Sequence, residues 1–286
     1  AGYQVTAGID LLTGDLLWGP LNQTIPQYQD VSLLDGDDGV YVLHNKDTAE
    51  ASGYSLENGK LLWGPVKLPH NAWSYILRGA EIAYGNVYIW DYGGYVNALD
   101  LKTGQIKWTF HRGSSGYDSP YGTYEIWHFG SHSVADGKLY FSEGHMYDPP
   151  LHPAKRLCIN ATTGELVWSI LSWSGRAPGA IADGMLAEWN SYDNQIYVFG
   201  KGQTATTVSI QNDVTTHGNK VLVKGTVTDE SPGTKDPERV ARFPHGVPAV
   251  SDASMSAWME YVYMQQPCPT IVTGVEVVLT VLDPNN

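Results

Sequence analysis

The 286-residue chain is 42% hydrophobic and 12% aromatic, with only 16% charged residues and a formal net charge of −13. This balance supplies enough apolar material for a sizeable core plus a second module. It argues against nucleic acid as a partner, since phosphate recognition needs a basic surface, and no run of 18 or more apolar residues is present to span a membrane as a helix.

The first element along the chain, GIDLLTGDLLWGP, is a small device carrying Asp10, Thr13, Gly14 and Trp18. An acidic residue at its start can bond the backbone two residues on, and Gly supplies the positive φ of a tight hairpin. The device recurs as GYSLENGKLLWGP with Ser55, Asn58, Gly59 and Trp63, as NALDLKTGQIKWTF with Asp100, Thr103, Gly104 and Trp108, and as CINATTGELVWSI with Asn160, Thr163, Gly164 and Trp168. In every copy Trp follows Gly by four residues; successive tryptophans are 45, 45 and 60 residues apart, so the third interval holds a 15-residue insertion. Periods of about 40 to 50 residues built from short strands predict four-stranded propeller blades. A tryptophan fixed after each turn offers an apolar face and one N–H to a neighbouring unit.

Between the devices lie further strand-forming stretches, YQDVSLLDGDDGVYVLHN, EIAYGNVYIWDYGGYVNALDL and SHSVADGKLYFSEG. The last pass, GAIADGMLAEWNSYDNQIYVFGKG, keeps the strand rhythm without a Thr-Gly-x-x-x-Trp ending. Across residues 1 to 202 this pattern resembles the quinoprotein-like propeller family, also called PQQ-binding-like repeats, in which such tryptophans form a docking girdle between blades. The resemblance implies seven or eight blades, of which about four to five are present here. The chain is therefore expected to hold an N-terminally incomplete propeller. The alternative is a compact ring in which residues 1 to 20 and 178 to 202 combine into one blade.

After Gly202 the pattern changes. Residues 203 to 286 are expected to begin an immunoglobulin-like β-sandwich, C-terminally incomplete, because apolar and polar residues alternate through Val208, Ile210, Val221, Val223 and Val227. SDASMSAWMEYVYMQQP predicts one inserted amphipathic helix over residues 251–266, with Ser251 at its N-cap, Met255, Trp258, Met259 and Val262 on one stripe, and Pro267 beyond its end. Its stripe is expected to dock as ordinary core. GVEVVLTVLDPNN predicts a strand followed by a turn.

The candidate functional residues are few. Asp35, Asp37 and Asp38 form the densest acidic loop and could ligate calcium, although a solvated hairpin turn is the simpler reading. Five of nine histidines (His111, His128, His132, His145 and His152) fall in the interval with the insertion, among Tyr117, Tyr121 and Trp127. Long loops on a rigid scaffold often bind ligands, so these eight residues mark a candidate face for a sugar or peptide. Asn22, in an expected linker, and Asn160, within a hairpin turn, lie in Asn-x-Thr triplets and are candidate glycosylation sites. Cys158 and Cys268 are read as separate thiols rather than a bridge.

Motifs for covalent haem, zinc proteases, phosphate-binding loops and the Gly-x-Ser-x-Gly nucleophile elbow are all missing. No cofactor is expected. The sequence predicts a non-catalytic secreted or cell-surface protein that binds partners or builds surface architecture, including filament or sheath subunits joined through exposed strand edges. The family resemblance implies two alternatives: a dehydrogenase of sugars or alcohols dependent on PQQ and calcium, although the adjacent Cys-Cys pair frequent in such enzymes is missing here, and an envelope assembly adaptor.

Overall fold

Asp10 accepts hydrogen bonds from the amides of Leu12 and Thr13 through one carboxylate oxygen, and Asp100 and Asn160 do the same for the two amides of their own turns. Each turn glycine has a positive φ, between 70° and 78°. Its N–H donates to the carbonyl of the residue four earlier, Asp10, Ser55, Asp100 or Asn160. Every turn is therefore closed by its own residues, as the sequence predicts.

The computed structural model describes residues 2–74, 77–113, 126–127, 134–143, 154–174, 179–212 and 214–282. Two compact units divide it, Ala1–Val198 and Phe199–Asn286. In the first, β1 (Gly2–Ile9) and β2 (Leu16–Ile25) form an antiparallel two-stranded sheet. β3 (Val31–Asp37), β4 (Val40–Asn45), β5 (Glu50–Ser55) and β6 (Leu61–Lys67) form the next, a four-stranded antiparallel sheet in chain order. β7 (Leu77–Ala83), β8 (Asn86–Asp91), β9 (Tyr95–Asp100) and β10 (Ile106–His111) repeat that order.

In the following sheet, β11 (Ile126–Trp127) and β12 (Val134–Ala135) both pair with β13 (Lys138–Glu143), which continues to β14 (Lys155–Asn160) and β15 (Leu166–Leu171). β16 (Ala180–Ala182), β17 (Met185–Asn190) and β18 (Gln195–Phe199) make a last, three-stranded sheet. Four-stranded antiparallel sheets repeated in chain order are propeller blades, and the protein is nearly all β. The β1–β2 and β16–β18 sheets are separate, so the expectation that they combine into one blade is not met.

Tryptophan joins one blade to the next. The indole Nε1 of Trp18 donates to Leu56 O at 2.7 Å, that of Trp63 to Leu101 O at 2.8 Å and that of Trp108 to Ala161 O at 3.0 Å. The indole faces lie on the following turn: a Cβ added to Gly59, Gly104 or Gly164 would come within 3.0 Å of the preceding tryptophan. Apolar cores fill the two interfaces around the β7–β10 blade. One holds Val42, Val87, Ile89 and Leu99; the other holds Tyr88, Trp90, Leu139, Leu157 and Ile159.

In the second unit β19 (Thr204–Ile210) pairs with β20 (Val223–Asp229) as an antiparallel ribbon. A short 3₁₀ turn at Pro232–Lys235 and the helix α1 (Pro237–Arg242) follow, both unforeseen from the sequence. α2 (Asp252–Tyr263) is three residues shorter at its C-terminus than expected, and Ser251 occupies the N-cap position without a side-chain capping bond. Gln265, with φ 55°, turns the chain out of the helix before Pro267. The helix docks on its own unit: Arg239 donates to Tyr263 O, Arg242 donates to Val262 O and Tyr261 O, and Phe243 meets Trp258 and Tyr261 edge-on.

The expected C-terminal strand does not form. Beyond the Val250–Gly274 bridge, Val277, Val278, Leu279, Val281 and Leu282 are all exposed, because no strand among the described residues offers this segment a ladder, and an unpaired strand gains no hydrogen bonds. Among the described residues there is likewise no second sheet facing β19–β20; the described part of the unit is a helix-bearing ribbon, and the expected partial sandwich is not shown.

Two glycines separate backbone cost from packing cost. Replacing Gly14, φ 78° with open space around it, by Ala should cost the left-handed conformation alone, about 1–2 kcal/mol. Gly104→Ala adds an overpacked contact with Trp63 and should cost a further ~1–3 kcal/mol. Urea unfolding of the two variants measures the difference; equal losses would mean the indole contact carries no packing constraint.

Candidate functional site

In each blade the first hairpin turn ends on a glycine, Gly39, Gly85, Gly137 or Gly184, all with positive φ. Six residues later the second strand ends in a hydrogen-bonding side chain: Asn45, Asp91, Glu143 and Asn190 are the last residues of β4, β8, β13 and β17. An antiparallel blade places this position at the end opposite the Trp–Gly turns, where the longer connections gather. It is the face on which a propeller could present a site.

The side chains at this position turn inward. Asn45 Oδ1 accepts from the amides of Asp47 and Thr48, and Asn190 Oδ1 accepts from those of Trp173 and Tyr192. Asp91 is 6% exposed; its Oδ1 accepts from the Tyr95 amide at 3.1 Å. Burial pushes its carboxyl up to about 6, against opposing bonds from Ser74, Tyr95 and Gly93. Around it Asn71 donates to Gly93 O, and Trp73 lies 6.1 Å from Tyr92. Trp173 and Tyr192 repeat that contact at 6.3 Å in the last blade.

Buried ion pairs link neighbouring blades beside this face. Glu143, pushed up to about 7 by burial against the pull of Arg112, contacts the Arg112 guanidinium and accepts from the Lys155 amide at 3.1 Å. Arg156 and Glu188, 1% and 0% exposed, pair between β14 and β17. Arg156 also donates to Ser174 Oγ at 3.0 Å, and Ser172 Oγ donates to Glu188 at 2.6 Å. Each of these carboxylates is already engaged by a guanidinium, a hydroxyl or a backbone amide. His44 is buried as the neutral ring, its basicity lowered to about 4 by desolvation.

The sequence-predicted residues fall in several places. Asp10, Gly14, Trp18, Gly59, Trp63, Asp100, Gly104, Trp108, Asn160, Gly164 and Trp168 lie on hairpin turns or the strands leaving them; Trp168 is 6.1 Å from Tyr140. His111 ends β10 and stacks on Tyr95 at 4.1 Å. The main chain of Trp127 lies in β11. Tyr117, Tyr121, His128, His132, His145 and His152 lie outside the described residues.

Asp35, Asp37 and Asp38 do not converge as calcium ligands. Asp35 accepts from the Gly36 and Ile82 amides, Asp37 from the Asp38 amide, and Asp38 pairs with Lys102 at 3.0 Å. Among the described residues no group of three His, Cys, Asp or Glu side chains is placed to hold a metal ion. Asn22 lies within β2, opposite Val5, rather than in a linker, and Asn160 uses its side-chain oxygen to close its turn. Cys158 is a buried free thiol and Cys268 an exposed one.

No protein-family model matches the sequence, and no curated protein matches it. Among solved structures it is similar to BamB from Moraxella catarrhalis, with 14% identity and a TM-score of 0.38 over 78% of this chain and 71% of that one. It is also similar to the quinohemoprotein alcohol dehydrogenase from Comamonas testosteroni, with 15% identity and a TM-score of 0.45 over 69% of this chain and 41% of that one. A third is the computationally designed Ika4 protein, at 12% identity and a TM-score of 0.41 over 66% of this chain and all of that one. BamB and the dehydrogenase are β-propeller proteins.

Two variants test these roles. Asp91 has a folded pKa of about 6 against an ordinary 3.8, so its contribution is full below about pH 4 and lost as the pH rises through about 6, some ~3 kcal/mol in all. Asp91→Asn, which keeps the accepting oxygen found in Asn45 and Asn190, should be more stable than wild type at pH 7.5 by up to that amount and equal to it at pH 4. Glu188→Ala should cost about 3–5 kcal/mol by stranding Arg156, and Arg156→Met with Glu188→Leu should recover most of it. Denaturant unfolding at the stated pH values reads both; a Glu188→Ala loss under ~1 kcal/mol would show that the pair is not desolvated.

Proposed function

We propose that this chain is a non-catalytic scaffold, a secreted or cell-surface propeller protein acting in binding or surface architecture. The observation that supports this reading is the engagement of the repeated polar side chains: Asn45, Asp91, Glu143 and Asn190 fasten connections, and Trp18, Trp63 and Trp108 join blades. None of these groups is left facing a substrate. A low fraction of charged residues, 16%, together with many aromatics, supports the extracellular placement.

Partner binding by strand addition has a candidate edge in β18, which pairs with β17 and with no other strand among the described residues. Ile196 and Val198 on it are 68% and 61% exposed. An exposed apolar strand edge is a template for another strand, the contact from which a filament or sheath would be built.

A titration with PQQ and calcium, followed by absorbance and by dye-linked oxidation of sugars and alcohols, tests the assignment. No stoichiometric uptake and no oxidation are expected. Uptake of one quinone per chain with turnover would replace the scaffold by a dehydrogenase.

A further inference from the structure

Tyr28 holds a conformation that packing does not explain. It is the third residue of the turn Pro26–Gln29, closed by the Gln29 amide donating to Pro26 O at 3.2 Å, and its φ is 69°. Glycine or asparagine ordinarily fills that place, and a bulky side chain there is strained. The residue is also 90% exposed, so no core contact repays the strain. A strained backbone presenting an exposed aromatic ring points to function.

The surroundings give the ring something to act on. Tyr28 lines an open recess of about 460 Å³ together with Tyr3, Gln27 and Gln29, and Tyr3 is itself 70% exposed. Ile25 and Pro26, which line this recess, also line a second one of about 290 Å³ between the β1–β2 sheet and the β3–β6 blade, with Gln4, Gln23, Ser52 and Tyr54. The first lies within the range of small-ligand sites, about 300–1,000 Å³, and the second extends it.

The lining is dense in amides and nearly uncharged. Gln4 and Gln23 stand opposite each other on β1 and β2, and Gln4 Oε1 has no hydrogen-bond partner among the described residues. Gln29 Oε1 accepts from Asn45 Nδ2 at 2.8 Å, which ties the tyrosine-bearing turn to the end of β4. Tyr54 is held by stacking on Tyr41 at 5.3 Å. The carboxylate of Glu50 already accepts from the Thr48 hydroxyl at 2.8 Å, and no Lys or Arg is among the described lining residues.

This chemistry selects a ligand class. An amide side chain both donates and accepts, as a sugar hydroxyl does, and a tyrosine ring matches the apolar C–H face of a pyranose. A phosphate, sulfate or carboxylate would need a basic group. A proline-rich peptide also docks on tyrosines, but it offers carbonyl acceptors alone and leaves the amide oxygens unmatched.

We propose that the two recesses bind a neutral oligosaccharide. Tyr28 and Tyr3 form the platform for a sugar ring, and the amides of Gln4, Gln23 and Gln27 take its hydroxyls. The site goes beyond the scaffold reading and stands whether the propeller is a scaffold or an enzyme.

Affinity electrophoresis of the purified protein, in gels containing a neutral β-glucan, α-glucan, mannan or galactan, tests the assignment, with polygalacturonate and polyproline in parallel gels. At least one neutral polysaccharide should retard the protein. Tyr28→Gly should weaken that binding at least about tenfold and at the same time raise the urea midpoint, because glycine accepts the positive φ. A residue kept for structure would not lose binding and gain stability together. Leu12→Ala, on an exposed turn outside both recesses, should leave binding unchanged.

No retardation by any of the four neutral polysaccharides overturns the proposal, as does retardation that survives Tyr28→Gly. A lowered urea midpoint in Tyr28→Gly would make the ring structural and refute its role. Retardation by polygalacturonate alone would make the site ionic, and by polyproline alone a peptide groove; either result refutes the neutral sugar.

Discussion

The indole of one unit resting on the turn glycine of the next is the contact on which the propeller unit depends. It combines burial of a large apolar ring, worth about 2–3 kcal/mol, with a hydrogen bond worth about 1 kcal/mol net, and it recurs at Trp18, Trp63 and Trp108. Neither half works without the other. A side chain at Gly59, Gly104 or Gly164 would displace the ring, and without the Asp, Ser or Asn at the head of each turn the receiving carbonyl would not be presented. Local turn chemistry and long-range packing are thus one device, which is why units of unequal length can be stacked through the same joint.

The opposite end of the blades is organised by burial of polar groups rather than by aromatic stacking. Asn45, Asp91, Glu143 and Asn190 occupy one position in four blades and turn toward backbone amides. Substituting a carboxylate for an amide there has an electrostatic cost, visible in the raised pKa values of Asp91 and Glu143. Arg112 offsets that cost at Glu143; at Asp91 the offset comes chiefly from the neutral donors of Ser74, Tyr95 and Gly93, with a smaller attraction from His70. In this setting burial and loop fastening account for the perturbed carboxyls.

Much of this was legible in the residues themselves. The four Gly-x-x-x-Trp turns predict the blades, and the turns appear where the pattern places them, because a tight hairpin is determined by four or five adjacent residues. The second recurring signal, an Asn, Asp or Glu six residues after the first turn glycine of a blade, was equally present in the sequence but hidden by its chemical variety. Only the shared direction of the side chains makes it one motif. Longer-range expectations fared worse: the stretch from Val275 to Leu282 has strand composition, yet composition cannot supply the neighbour a strand must pair with. The helices at Pro237–Arg242 and Asp252–Tyr263 settle against each other through Arg239 and Arg242, a contact between side chain and helix end that no periodicity announces.

The buried pair of Arg156 and Glu188 has a consequence for how the last sheet is held. The three tryptophan joints connect the first four sheets of the propeller unit, whereas this pair connects the β14 strand to the following β16–β18 sheet, whose sequence has no repeated Thr-Gly-x-x-x-Trp turn. Glu188 enclosed without a guanidinium, or Arg156 without a carboxylate, would carry an uncompensated charge in a nearly waterless interface. The last sheet is therefore tied to its neighbour by enclosed charge where the earlier ones are tied by an indole.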